Sequence, residues 1–151
     1  MKKKETEPVI GFKLVKITTE QFAIIEESYT KEATIHLRTN LEFGIDKEKR
    51  VIVVMPTFDF FTKDNLFMKI KTGCHFVIKD DAWSIMIDEN ENEIKLPIKL
   101  IRHLCVITIG TTRGILHSKT ENTEYNKYFI PTINVEEMIK EDVIIAIKDH
   151  E

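Results

Sequence analysis

A chain of 151 residues is long enough to form one domain, which at this size buries roughly 70% of its unfolded surface. Hydrophobic residues make up 42% of the chain and charged residues 31%, and this balance excludes disordered and membrane-spanning proteins as classes. Because the formal net charge is -3, no global basic field attracts phosphate backbones, and we expect no nucleic-acid partner.

The N-terminal segment, residues 1–9, is charged and lacks the apolar stretch of a signal peptide, so we expect a flexible end. No apolar run approaches the roughly 20 residues that a membrane helix needs, and we expect no membrane insertion. Cys74 and Cys105 lie far apart, each within an apolar segment, as buried free thiols do. These features predict a single domain over residues 10–151 in a cytoplasmic protein.

The first half of the chain has the alternating apolar pattern of a sheet. The alternation is strictest from Ala33 to Ile45, which predicts a strand with one packed face and one wet face. The first strand is expected to bend near Thr19, and Pro56 predicts an edge position or a bulge in the third. Short polar turns favour an antiparallel meander. The first strand is predicted to begin at Ile10. The other three are predicted to cover residues 33–45, 51–61 and 66–78.

The second half predicts a long helix. Pro97 suits a first helical turn, and apolar residues and threonines recur after it at helical spacing. The β-branched run VITI and the nearby Gly110 leave open a buried strand from Cys105 to Ile109.

The segments around this helix are less regular. Asn134, with Glu137 three residues later, predicts the capped start of a short C-terminal helix. Ser118 to Tyr128 is polar and is expected to be a loop. Residues 80–96 are compatible with a loop, a short helix or a crossing segment, and the state of residues 141–151 is left open.

The sequence does not match the residue spacing of the catalytic motifs that its cysteine, arginine and glycine residues could suggest. Cys105 and Arg113 are too far apart for the phosphate cradle of a cysteine phosphatase, and GTTRG lacks the lysine of a nucleotide P-loop. Cysteine and histidine pairs at zinc-ligand spacing are absent from the sequence, and His36 and His75 are predicted to be boundary residues of two strands. We therefore expect no enzyme, no catalytic residue, no metal site and no cofactor.

Arg113 lies between small residues in the predicted helix. We expect it at the helix edge, paired with an acidic side chain or with loop carbonyls, while a ligand-binding role is the alternative. Gly110 and Gly114 lie one helical turn apart and predict close approach of another element, in the core or at an interface.

Phenylalanines concentrate around one predicted hairpin. Ordinary core packing explains such a cluster, and so does an exposed apolar groove that binds a protein partner.

Three segments resemble the SecB and SecB-like chaperone family. They are GCHFVI at Gly73–Ile78, ITIGTTRGILHSKT at Ile107–Thr120 and FIPTINVEEMI at Phe129–Ile139, and the resemblance covers roughly residues 12–139. Arg113 and the turn from Pro131 to Asn134 fall where the family has a helix arginine and a Pro-x-x-Asn turn. The resemblance implies an α+β fold: a four-stranded antiparallel sheet packed with one long helix and a short C-terminal helix.

The resemblance also implies a function. Family members are ATP-independent holdase chaperones that bind unfolded or partly folded polypeptides in apolar grooves, as dimers or tetramers. The implied clients are preproteins destined for a SecA-type motor, or an antitoxin. On side-chain chemistry we expect client binding by Phe58, Phe60, Phe61, Phe67 and Trp83. Structural or interface roles are expected for Gly110, Arg113, Gly114, Pro131 and Asn134.

Two other hypotheses remain open. The first is an oligomeric interaction module without chaperone activity, whose aromatic patch is its own subunit interface. The second is an enzyme or small-molecule binder with a pocket around Arg113.

Overall fold

The structure of the protein is a computed structural model that describes residues 10–147. Residues 1–9, predicted to be a flexible end, and residues 148–151 lie outside the described part. The described part contains a four-stranded sheet, a three-stranded sheet and a long helix. The elements are β1 (Phe12–Ile24), β2 (Ile35–Asp46), β3 (Val51–Thr62), β4 (Asn65–Ile78), α1 (Asp80–Met86), β5 (Ile87–Asp88), β6 (Glu93–Leu96), α2 (Ile98–Thr120), α3 (Val135–Met138) and β7 (Val143–Ala146).

The strand order of the large sheet differs from the predicted meander. β2, β3 and β4 are neighbours as predicted, but β1 pairs with β4, so the order is β1-β4-β3-β2. The prediction is wrong for β1 because residues 25–34 are a crossover that contains a short 3-10 turn, Glu26–Ser28, and not a tight hairpin. All pairs are antiparallel, and β1 and β2 form the two edges.

The β3–β4 hairpin closes through Lys63 and Asp64. Their φ angles of 46° and 62° are both left-handed, as in a type I′ turn, whose twist matches that of the strands it joins. Neither residue is glycine, so the turn carries a steric cost that the long β3–β4 pairing outweighs.

Two strands depart locally from regular pairing. In β1 the register to β4 shifts between Leu14 and Lys16 and again between Thr19 and Gln21, which confirms a bend near Thr19. Pro56 was predicted at an edge or bulge, and this is wrong: it lies in the interior strand β3, opposite Leu41 of β2, without a register shift. Its missing N–H coincides with a gap in the β3–β4 pairing between Val54 and Thr57.

The long helix is confirmed, and the strand alternative for Cys105–Ile109 is wrong because α2 runs through it from Ile98 to Thr120. Three buried threonines, Thr108, Thr112 and Thr120, face the protein interior. Each hydroxyl donates to the carbonyl four residues earlier, at 2.8 to 2.9 Å, so all three of these buried hydroxyls are paired. The helix ends at Thr120, so Ser118 and Lys119 are helical and the predicted loop starts later.

The ambiguous segments form a second, smaller sheet. Residues 80–96 contain α1 and the pair β5–β6, and the tail supplies β7, giving the order β5-β6-β7. The C-terminal helix α3 is a single turn whose start is capped: Asn134 Oδ1 accepts from the backbone N–H of Glu136 at 3.1 Å. The architecture is thus α+β, with a four-stranded antiparallel sheet and one long helix.

The core lies between α2 and one face of the large sheet, here called the helix-bearing face. On β4 this face carries alternate residues that are fully buried, including Ile70, Thr72, Cys74 and Phe76. A hydrogen bond of 2.6 Å between the hydroxyls of Thr72 and Thr112 joins the sheet to the helix inside this core. The opposite side, here called the outer face, is not covered by α2.

Candidate binding surface

The five predicted client-binding residues are mostly part of the core. Phe58 and Phe67 are 0% exposed, Phe60 is 2% exposed and Trp83 is 6% exposed, so the expectation that they line an exposed groove is wrong. They are buried because the sheet needs large apolar side chains beneath its helix and its loops. Phe61 alone is half-buried, on the outer face, with the guanidinium of Arg38 at 5.0 Å from its ring centre. A client-binding role for the five stays a prediction.

Arg113 holds the segment that follows the long helix. Its Nε–H and one terminal amino group donate to the carbonyls of Ile130 and Pro131, each at 2.8 Å, which confirms the predicted pairing with loop carbonyls. Sequence reasoning missed a second such residue. Arg102, 11 residues or about three helical turns earlier, donates to the carbonyls of Ile139 and Glu136 at 2.8 and 3.1 Å. The spacing of three helical turns from Arg113 is the sequence signal from which the role of Arg102 could have been predicted.

Neither Gly110 nor Gly114 permits a close approach within the chain. Both lie on the exposed side of α2, and a Cβ added at either would meet no atom within 4 Å. The prediction of close packing is therefore wrong for the core, while the interface alternative stays a prediction. Val106, one turn before Gly110, is 56% exposed on the same side, so this side of α2 is free to contact another molecule.

All three tyrosines of the chain meet at one end of the large sheet. We call Tyr29, Phe67, Tyr125 and Tyr128 the tyrosine cluster. Tyr29 is its centre, with ring centroids 4.9 Å from Phe67, 5.0 Å from Tyr125 and 6.1 Å from Tyr128. The tilted and edge-on arrangements are those that aromatic quadrupoles favour. Sequence spacing gave no sign of the cluster, because Tyr29 is far from the other two in the chain.

Hydrogen bonds from the Thr62 side chain and from the backbone fix the crossover between β1 and β2 to the sheet. Thr62 at the end of β3 accepts from the backbone N–H of Thr30 at 3.0 Å and donates to the carbonyl of Ser28 at 3.2 Å. The backbone N–H of Ile25 donates to the carbonyl of Phe67 at 2.7 Å. Tyr29 is thereby fixed to the sheet.

The segment after α2 is also held in place by side-chain hydrogen bonds. It contains a 3-10 turn, Glu124–Lys127, in which Thr123 Oγ1 accepts from the backbone N–H of Tyr125 at 3.2 Å. Asn126 Nδ2 donates to the carbonyl of His117 at 3.0 Å. The tyrosine cluster therefore sits where two loops, each fixed to its own element, come together.

The environment of the cluster favours the neutral form of two of its phenols, those of Tyr125 and Tyr128. Burial raises the pKa of Tyr128, and the hydrogen bond with Tyr29 raises it further. Burial also raises the pKa of Tyr125, with Glu124 and Glu26 adding to the effect. The cluster is therefore an internal junction: Phe67 and Tyr125 are buried, and the hydroxyls of Tyr29 and Tyr128 are bonded to each other.

The edge strand β1 exposes three aliphatic side chains, which we call the β1 strip: Leu14, Val15 and Ile17. They are 36%, 50% and 49% exposed. Leu14 and Ile17 lie opposite Phe76 and Cys74, so they share the helix-bearing face, beyond the cover of α2. Among residues 10–147, β1 pairs only with β4, so one side of its backbone has no strand partner within this range.

Within residues 10–147, no group of three or more His, Cys, Asp and Glu side chains is placed to hold a metal ion. Cys74 and Cys105 are buried free thiols as predicted, and burial raises the pKa of Cys105 to about 12. Over the same range, every helix is too short or too polar to cross a membrane.

The chain has few similarities to known proteins. No family model matches the chain. A search of curated proteins finds no match either. Among solved structures the chain is similar to a protein of unknown function from Streptococcus agalactiae, with 9% sequence identity and a TM-score of 0.38, over 84% of this chain and 100% of the other.

Proposed function

We propose that the protein is an ATP-independent holdase chaperone of the SecB-like kind, which binds unfolded or partly folded polypeptides. Its clients are preproteins that pass to a SecA-type motor, or an antitoxin. The proposal rests on the sequence resemblance and on one structural observation: the β1 strip on an unpaired sheet edge.

The β1 edge offers both interactions that an extended client needs. Free backbone N–H and C=O groups can pair with the backbone of any sequence, because main-chain hydrogen bonds are independent of the side chains. Leu14 and Ile17 can then bury apolar side chains of the client, and this contact also requires no particular client sequence. Leu14 is 36% exposed and Ile17 is 49% exposed, so covering each of them stabilises the complex by roughly 1 kcal/mol. Low specificity of this kind suits a protein that holds many clients.

Suppression of client aggregation tests the proposal. A denatured client is diluted into buffer without ATP, with the protein at substoichiometric to equimolar ratio, and light scattering is followed. The double variant Leu14→Asp and Ile17→Asp is expected to lose most of the suppression. Ile85→Asp is the matched control, because Ile85 is 84% exposed on α1 and outside the β1 strip. Absence of suppression by the unaltered protein contradicts the proposal.

The same edge favours a second function, an oligomeric interaction module without chaperone activity. A second copy that pairs its own β1 with this edge would cover the β1 strip and extend the sheet. Native mass spectrometry with and without an unfolded client separates the two. A dimer or tetramer that captures the client supports the chaperone, and an assembly that captures none supports the module.

A further inference from the structure

The free edge of β1 carries two exposed lysines on the outer face of the sheet, Lys13 and Lys16. The register shift between Leu14 and Lys16 keeps both lysines on this face, opposite positions 77 and 75 of β4. Leu14 and Ile17 of the β1 strip lie on the helix-bearing face. One short stretch of the edge strand is therefore aliphatic on one face and basic on the other.

The two lysines of β1 are not neutralised by their own strand. Within residues 10–147, Lys13 and Lys16 form no ion pair. Glu20, the one acid of β1, accepts a hydrogen bond from Thr18 Oγ1 at 2.6 Å. Its Oε1 lies 3.5 Å from a Cβ added at Gly73, so the carboxylate is over β4 and does not extend beyond the free edge.

The other lysines and arginines of the large sheet all have acidic partners in the sheet. Arg38 and Lys69 pair with Asp59, at 2.9 and 3.8 Å, and Lys71 pairs with Glu42 at 2.8 Å. In the part of the chain that the structure describes, the two lysines of β1 are therefore the only basic side chains of this sheet without an acidic partner. Unpaired positive charge is thus concentrated at the edge that carries the β1 strip.

An extended segment that pairs with β1 continues the sheet at a distance of about 4.8 Å. Its side chains alternate between the two faces, so one set lies beside Leu14 and Ile17 and the other set lies beside the two lysines. Opposite charges on neighbouring strands stabilise the pairing, and like charges destabilise it. A second copy that pairs its own β1 strip with this one brings the lysines of both copies together, which disfavours it as the occupant.

We propose that the β1 edge binds an extended polypeptide segment in which apolar residues alternate with aspartate or glutamate. The apolar side chains cover Leu14 and Ile17, and the acidic side chains pair with Lys13 and Lys16. This segment is the client of the proposed function, on which the assignment rests. Two exposed pairs of opposite charge raise the affinity roughly five- to tenfold, which biases the choice of segment without restricting it to one sequence.

Fluorescence anisotropy of short labelled peptides tests the charge preference. Valine alternates with aspartate in the first peptide, with serine in the second and with lysine in the third, and all three carry the same fluorescein label. At about 0.05 M salt, the full chain is expected to bind the aspartate peptide roughly five- to tenfold more tightly than the serine peptide, and the lysine peptide most weakly. These differences should shrink at about 1 M salt, where charges are screened within about 3 Å.

Reversal of the two lysine charges locates the preference. The double variant Lys13→Glu and Lys16→Glu is expected to bind the lysine peptide more tightly than the aspartate peptide. The matched control, Lys31→Glu with Lys140→Glu, makes the same change in net charge at two exposed lysines outside β1 and should keep the preference for aspartate. Circular dichroism establishes that both double variants are folded.

The failure of this assignment is distinguishable from the failure of the proposed function. Equal affinity for the three peptides, lost in each case on Leu14→Asp with Ile17→Asp, overturns the charge preference and leaves client binding at β1 intact. A preference for aspartate that survives reversal of both lysines overturns it as well. Binding of no peptide overturns the assignment, and it contradicts the proposed function too if suppression of aggregation is also absent. A dimer in native mass spectrometry that excludes every peptide assigns the edge to a second copy and overturns the proposal.

Discussion

The hydroxyl oxygens of Tyr29 and Tyr128 lie 2.5 Å apart, although 99 residues separate the two tyrosines in the chain. This hydrogen bond joins the crossover between β1 and β2 to the segment that follows α2. It lies within an aromatic cluster, where the surroundings are less polar than water and a hydrogen bond is stronger.

Removal of either hydroxyl should weaken this junction. Tyr29→Phe and Tyr128→Phe are each expected to lower the free energy of unfolding by about 1 kcal/mol, measured by urea denaturation. Because the same bond is lost in both, the double variant should be little less stable than either single one. Additive losses would show that the two hydroxyls act independently.

The raised pKa values of Tyr128 and Tyr125 predict loss of stability at alkaline pH. Between the unfolded value of about 10 and the higher folded values, the unfolded chain releases phenolic protons that the folded chain retains, so stability falls as pH rises. Below about pH 10 both states are protonated and the contribution is constant. Urea unfolding at a series of pH values should show a shallower alkaline decline for Tyr128→Phe. An identical decline would contradict the assignment.

Arg113 is expected to stabilise the segment around Ile130. Arg113→Met keeps the stem but loses two charge-assisted hydrogen bonds, and should cost about 1.5–3 kcal/mol in the free energy of unfolding. Hydrogen exchange should rise in residues 129–135 more than in β3. Lys119→Met, an exposed position at the end of the same helix, is the control and should change stability little.

The pair Thr72 and Thr112 tests how the sheet and α2 are joined. Thr72→Val removes one partner of a fully buried hydrogen bond and should lower the free energy of unfolding by about 1–2 kcal/mol. Thr112→Val removes this same bond and also the donation from Thr112 to the carbonyl of Thr108, so the double change to valine should cost more than Thr72→Val but less than the sum of the two single changes. Thermal unfolding of the three variants measures this. Additive losses would contradict it.

The sequence predicted what local pattern controls. Alternation located β2 and β4, helical spacing with Pro97 located α2, and a side-chain cap located the start of α3 at Asn134. Pattern alone did not reveal that β1 pairs with β4, because strand order depends on the path of the crossover around Tyr29. It also misjudged Phe58 and Phe67, since a phenylalanine in a strand has the same sequence signal whether it is buried in a core or lines a groove.

The candidate surface was harder to predict than the fold for a related reason. Leu14 and Ile17 are exposed because α2 packs mainly on β3 and β4 and reaches β1 only near Phe12, which is a property of the packed structure. Leu14 and Ile17 look like core residues in the sequence, yet the register of β1 places them beyond the helix.

Hydrogen exchange along β1 tests the central claim most directly. Amide exchange of the protein is compared with and without an excess of unfolded client, at a protein concentration where its own assembly state is constant. The proposed function predicts slower exchange across Phe12–Ile24 when the client is added, with the other edge, Ile35–Asp46, unchanged. Unchanged exchange in β1, or equal protection of both edges, would contradict client binding at the β1 strip.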